Sequence, residues 1–317
     1  MSFMDKIDLS AFDFPVELVP VFTLGNESGS VLREVDSKLG RAVIRTDTGE
    51  SLGIVGSKWT MARYVDQLYP VLKALDETSL DAGNITTKAS VLENGAMMEL
   101  EIMFTDRQFD VGTTKGYSPN QPAYYNTSAR VGDTVAQVLR FRNSYNGAWS
   151  FETSFGGKRL RCLNGVWVLD CIATHRRKHT VNLSVTASVE KLVKGITMFD
   201  TMKDELVAMT KTPVSKSNVI KLFQNTLAYL PRTGEDVPPY SDRTLTHLMN
   251  LYDFNEDEVG NNKWAVYNTA TEWATHVEDT MRQSSQPHRV RAVREAKVAS
   301  MMKSREWQAL TDHRLAA

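Results

Sequence analysis

The stretch TVAQVLRFRNSYNGAWSFETSFGGKRLR, Thr134 to Arg161, carries the alternation from which the fold is read. From Val135 to Arg142 the pattern sets Gln137, Leu139 and Phe141 on one side of an extended chain and Val138, Arg140 and Arg142 on the other. The next run keeps Trp149, Phe151 and Phe155 together, opposite Ser150, Glu152 and Ser154. A third run separates Leu160 and Cys162 from Arg159 and Arg161. Three strands in succession predict a sheet, and if they are neighbours their arginines gather into one patch.

Upstream, residues 41–46 and 52–55 flank Asp47-Thr48-Gly49-Glu50, a hairpin turn in which Gly49 supplies a positive φ. Ser57 or Thr60 is then the expected cap of a helix over 60–75. Its apolar face would be Met61, Tyr64, Val65, Leu68, Leu72 and Leu75, with Pro70 as an internal kink. Residues 88–93 and 96–105 form a second hairpin about Asn94-Gly95. Alternation sets Glu99 and Glu101 opposite Leu100, Ile102 and Phe104, which reads as a solvated strand face more readily than as an acid/base or metal pair. Residues 112–132 are rich enough in Gly, Pro, Asn and Ser to predict a long loop.

Near residue 185 the pattern changes to long 3.6-period segments with few glycines. Helices are expected over 187–210, 216–230, 241–252, 262–281 and 288–310, separated by Pro213, Pro238-Pro239, an acidic loop and Pro287. The fold class is α+β: a β-rich N-terminal half, an antiparallel sheet with a packed helix, followed by a helical C-terminal half. The expected parts are an N-terminal extension over 1–39, a β-rich core with a basic face over 40–186, and a helical region over 187–317.

The 317 residues are 42% hydrophobic, enough to bury a real core. Thirty-seven Lys and Arg against thirty-eight Asp and Glu give a formal net charge of −1, so no global field advertises a nucleic acid or an anionic membrane. The charge is local. From 140 to 179 there are eight basic residues, Arg140, Arg142, Lys158, Arg159, Arg161, Arg176, Arg177 and Lys178, against Glu152 and Asp170. With Tyr145 and Trp149 at its edge, such a surface has what a single-stranded nucleic acid requires: cations for phosphates and aromatic faces for unpaired bases. These ten residues are the candidate nucleic-acid contacts. A second basic run over 288–307 keeps Val290, Val293, Ala296, Ala299 and Met302 at helical spacing and reads first as an amphipathic helix.

Other chemistry is weaker. Cys162, Cys171, His175 and His179 are zinc-ligand types at an uncommon spacing, and Cys162 falls on an apolar strand face. Asp253, Asn255 and Asp257 imitate the start of a calcium loop that lacks its Gly and its closing Glu. The phosphate-loop, nucleophile-elbow, zinc-protease and dinucleotide motifs are absent, so no catalytic residue and no cofactor is expected. Two cysteines, an N-terminus with acids where a signal peptide is basic, and no run of 18 apolar residues predict a cytoplasmic chain with no membrane partner.

The segment from Leu139 to Trp167 resembles the centre of the phage- and plasmid-encoded family named domain of unknown function 932. Asn143-Ser144, Arg159-Leu160 and Cys162-Leu163-Asn164-Gly165 carry the resemblance. Val55-Gly56-Ser57 and the run NKWAVYNTATEW, Asn262 to Trp273, agree with it. The resemblance implies a mobile-element origin, with the host cytoplasm as the compartment, and supplies no catalytic residues. A fainter architectural resemblance, over about 60–210, is to Rad52-like phage single-strand annealing proteins, through the β-rich basic core and Asn146-Gly147-Ala148-Trp149. It implies a sheet and helix about a basic groove and assembly into rings or filaments.

Three functions compete. The first is single-stranded DNA binding that promotes annealing and recombination, by a homo-oligomer without a nucleotide cofactor. The second is a protein-interaction factor opposing a host defence, using the acidic loop and the helical half. The third is a nuclease with carboxylates gathered from separate loops.

Overall fold

A computed structural model describes residues 2–24, 32–34, 40–78, 80–117, 126–160, 165–166, 174–180, 186–230, 239–277 and 287–310. The first half opens in the order α1 (Phe3–Lys6), β1 (Val16–Pro20), β2 (Phe22–Leu24), β3 (Leu32–Glu34), β4 (Arg41–Arg45), β5 (Glu50–Val55) and α2 (Tyr64–Asp76). Six strands follow: β6 (Ile85–Leu92), β7 (Met97–Tyr117), β8 (Asn126–Ser144), β9 (Phe151–Arg159), β10 (Gly165–Val166) and β11 (Thr174–Arg177). The second half is helical, with α3 (Thr186–Thr210), α4 (Lys216–Asn225), α5 (Asp242–Val259), α6 (Lys263–Thr275), α7 (Pro287–Met302) and α8 (Arg305–Ala309).

The main sheet has the order β10-β9-β8-β7-β6, with β11 also paired to β9. Strand β6 pairs antiparallel with β7, and β9 pairs antiparallel with β10 and with β11. The β6–β7 hairpin turns at Glu93, Asn94 and Gly95, all with positive φ, and aligns Leu92 with Met97. A smaller sheet, β1-β4-β5, contains the hairpin at Gly49, whose φ is +76°. The expected loop over 112–132 is largely strand: β7 continues to Tyr117, β8 starts at Asn126, and 118–125 lie outside the described residues.

Two compact units are each assembled from several stretches of chain. One comprises Met1–Asp106, Val138–Phe155 and Ala173–Thr197; the other comprises Arg107–Gln137, Gly156–Ile172 and Met198–Ala317. Strands β7, β8 and β9 contribute residues to both.

In the first unit Phe3, Phe12 and Phe14 are buried, and β1 pairs with β4. Helix α2 buries Leu68, Val71, Leu72 and Leu75, each worth about 1.5–3 kcal/mol when removed from water. It begins at Tyr64, later than its apolar spacing suggests, because the Thr60 N–H is bonded to the His179 carbonyl at 3.1 Å and does not enter a helical turn. Pro70 sits inside the helix on an exposed position, where its missing N–H removes one rung.

The second unit is organised about α6, which buries eleven residues, Trp264, Tyr267 and Trp273 among them. Its polar side chains survive burial by bonding within the helix: Thr269 and Thr271 donate to the carbonyls of Ala265 and Tyr267, and Asn268 to that of Trp264. Ser215, Ser241, Asn262 and Ser304 cap α4, α5, α6 and α8 by accepting from backbone N–H groups. The acidic segment is helical, since α5 runs on to Val259 and turns Asn255 and Glu258 inward. Asp253, Asn255 and Asp257 therefore form no calcium loop.

Helix α7 also differs from its expected face. Val293 is 61% exposed, while Glu295, Val298 and Met301 are buried. Arg294 lies over the Trp273 ring at 4.6 Å and donates to its carbonyl at 2.7 Å, so a guanidinium covers the position an apolar stripe would have. Among the described residues no helix is long and apolar enough to cross a membrane.

Candidate nucleic-acid interface

Strand alternation puts Arg140 and Arg142 on one face of β8, but that face is closed to water. Each residue is 2% exposed. Arg142 Nε donates to Glu99 Oε2 at 2.6 Å, and its guanidinium lies 5.1 Å from the Trp149 ring. Arg140 Nη2 donates to Glu152 Oε1 at 3.1 Å, and the second oxygen of Glu152 accepts from Arg176 Nε at 2.6 Å. The result is a run of alternating charges across β7, β8, β9 and β11. The expectation of exposed, unpaired arginines is corrected here, and so is that of a solvated Glu99 and Glu101, which are 9% and 4% exposed. The reason is energetic: burying one ion costs several kcal/mol, so buried guanidiniums require carboxylates beside them.

Tyr145 and Trp149 do not offer their rings to solvent. Tyr145 is fully buried, stacked on Tyr64 with ring centroids 4.3 Å apart, and its hydroxyl accepts from the Tyr64 N–H. Burial holds both phenols well above the ordinary tyrosine range. Trp149 is 6% exposed and anchored by reciprocal bonds with Ser144, whose hydroxyl both accepts from Trp149 N and donates to Trp149 O at 2.9 Å. Gly147, at φ +73°, permits the turn that folds this indole back.

Arg159 belongs to the second unit and is 1% exposed. Its Nε donates to Asp133 Oδ1 at 2.6 Å, while Asp133 Oδ2 accepts from Trp264 Nε1 at 2.7 Å. Glu258 stands 3.8 Å from Arg159 Nη2. Nearby, Asn255 donates to Glu272 at 2.8 Å, and burial raises the Glu272 carboxyl above its ordinary range. This is a closed polar core, and Arg159 too is corrected from a surface contact to an internal ion pair. Lys158 is half-buried. Arg161, Cys162 and Cys171 lie outside the described residues; among those described, no group of His, Cys, Asp and Glu is arranged to hold a metal ion.

The exposed remainder is at the end of β11. Arg176, with its side chain 54% exposed, Arg177 and Lys178 follow one another along this edge strand, which pairs with β9 through Arg176↔Glu152 and Arg177↔Phe151. Arg176 is held by Glu152, whereas Arg177 and Lys178 have no carboxylate partner among the described residues. The next residue, His179, is 4% exposed and stacks on Trp59 at 4.8 Å and 15°. Thr60 N–H donates to the His179 carbonyl at 3.1 Å, and His179 Nδ1 lies 3.2 Å from the Thr60 carbonyl. Burial lowers the imidazole below its ordinary range. These contacts set the exposed Lys58 and the half-buried Trp59 beside the β11 cations. Sequence reasoning missed both residues, because Thr60 and His179 are 119 positions apart and no local pattern links them.

The chain belongs to the family described as Domain of unknown function (DUF932), whose model matches residues 115–300. The match takes in β8 to β11 and most of the helical half, with Arg176, Arg177, Lys178 and His179 inside it and Lys58 and Trp59 before it. No curated protein and no solved structure matches the chain, so the annealing-protein likeness rests on the sequence features alone.

Proposed function

We propose that this chain binds single-stranded DNA and promotes strand annealing in the recombination of phage or other mobile-element genomes, acting as a homo-oligomer in the host cytoplasm and without a nucleotide cofactor. The observation that carries the reading is the exposed run Arg176-Arg177-Lys178 at the end of β11, two of whose cations have no ion-pair partner among the described residues. Exposed cations without a carboxylate partner among the described residues gain free energy by releasing the condensed counterions of a phosphate backbone. Of the ten residues that sequence reasoning selected, Arg176, Arg177 and Lys178 retain the proposed role, and Arg140, Arg142, Tyr145, Trp149 and Arg159 are assigned to the internal framework.

Fluorescence anisotropy with labelled single- and double-stranded oligonucleotides at two salt concentrations tests this reading, with light scattering for the mass of free and bound protein. Salt-sensitive binding that prefers single strands, by a particle larger than one chain, is the expected result. Absence of binding at low salt contradicts it.

A further inference from the structure

We propose that Trp59 is a stacking platform for one unpaired base, with the flanking phosphates held by Lys58 and Lys178. This rests on the single-strand reading above and goes beyond it by naming the aromatic contact.

A cationic edge alone binds duplex and single strand alike; preference for single strands comes from an aromatic face open to a base. Tyr145 and Trp149 are enclosed and cannot serve. Trp59 is half-buried, next to the exposed Lys58, and the two contacts between Thr60 and His179 fasten its loop to the end of the β11 cation run. One face of the indole is backed by the His179 imidazole, nearly parallel at 15°. A ring held rigid before binding loses little freedom when a base stacks on it. Burial lowers the affinity of that imidazole for a proton.

A second observation points the same way. Among the described residues, Trp59 Nε1 and His179 Nε2 are both shut from solvent without a hydrogen-bond partner. Such unmet polar atoms are uncommon in native interiors, and each calls for a partner that the fold itself does not supply. A phosphate oxygen flanking the stacked base, in the plane of the indole, is an acceptor of the right kind for its N–H once a small rearrangement opens the way to it.

The test is the affinity of the full chain for a labelled oligothymidylate and for an abasic oligonucleotide of equal length, with wild type, Trp59→Ala, Trp59→Phe and the double variant Arg177→Ala/Lys178→Ala. The expected result is that Trp59→Ala weakens oligothymidylate binding on the order of 10-fold with its salt dependence retained, and that Trp59→Phe recovers most of it. Wild type should bind the abasic strand more weakly than oligothymidylate. That comparison needs no variant and stands even where Trp59→Ala fails to fold. If wild type binds no oligonucleotide, the single-strand reading falls and the platform with it. If binding is present and depends on Arg177 and Lys178, yet the abasic strand binds equally well or Trp59→Ala leaves affinity unchanged, the platform alone is overturned.

Discussion

Arg142 Nε donates to Glu99 Oε2 at 2.6 Å between β8 and β7, with side chains only 3% and 11% exposed. The pair converts what reads along the chain as a cationic face into a neutral seam. Removing one member leaves the other buried without this partner, which costs about 3–5 kcal/mol, whereas replacing both by apolar side chains of similar size is often neutral. Arg142→Ala should therefore lower the denaturation midpoint strongly in guanidinium titrations. The double variant Arg142→Met/Glu99→Leu should stay near wild type and bind single strands with unchanged affinity.

Asp133 has a comparable place in the second unit, because its two oxygens accept from Arg159 and from Trp264. Asp133→Ala takes its 2.6 Å carboxylate partner from a buried guanidinium and the acceptor from an indole N–H, an expected loss of about 3–5 kcal/mol. Trp264→Phe removes the indole donor alone and should cost less. Chemical denaturation of the two variants tests the order, and a milder Asp133 variant would contradict the arrangement.

Lys263 opens α6, with Nζ 3.2 Å from the Trp307 carbonyl and 4.4 Å from the centre of its ring. Burial pushes its amine down from 10.5 to about 8. Between those two values the unfolded chain holds more protons at this position than the folded one, so stability rises with pH across that window. The contribution has a slope of at most about 1.4 kcal/mol per pH unit. The difference in stability between wild type and Lys263→Met should accordingly move in favour of wild type from pH 8 to pH 10. A pH-independent difference would contradict the burial of a titrating amine.

On α7, Arg294→Ala should destabilise by roughly 1–2 kcal/mol, through loss of its cover over Trp273 and of the bond to the Trp273 carbonyl. Val293→Ala should lie within about 0.5 kcal/mol of wild type, since the side chain faces solvent. Thermal melts of both variants decide which face of the helix is packed.

Local features of the sequence were legible because their causes are local. Asn94-Gly95 and Gly49 mark turns by their backbone freedom, and the starts of α4, α5 and α6 follow Ser215, Ser241 and Asn262, whose side chains reach the first-turn N–H groups. The candidate site was legible only in part, because its electrostatics are settled by distant partners. Glu99 is 43 positions from Arg142 and Asp133 is 26 from Arg159, so a charge count over one segment could not include them. The continuation of α5 through Asp253 and Asp257 was hidden for a different reason: an acidic cluster reads as a loop until Tyr252, Asn255 and Glu258 are seen to share its buried side.

The proposed nucleic-acid contact is the exposed cations at the end of β11 and not the enclosed arginines of β8. The slope of log affinity against log salt for a single-stranded oligonucleotide tests it most directly, compared between wild type and Arg177→Ala/Lys178→Ala. The expected result is weaker binding and a slope shallower by about 1.4, from about 0.7 for each of two lost phosphate contacts. An unchanged slope and affinity in that double variant would contradict it.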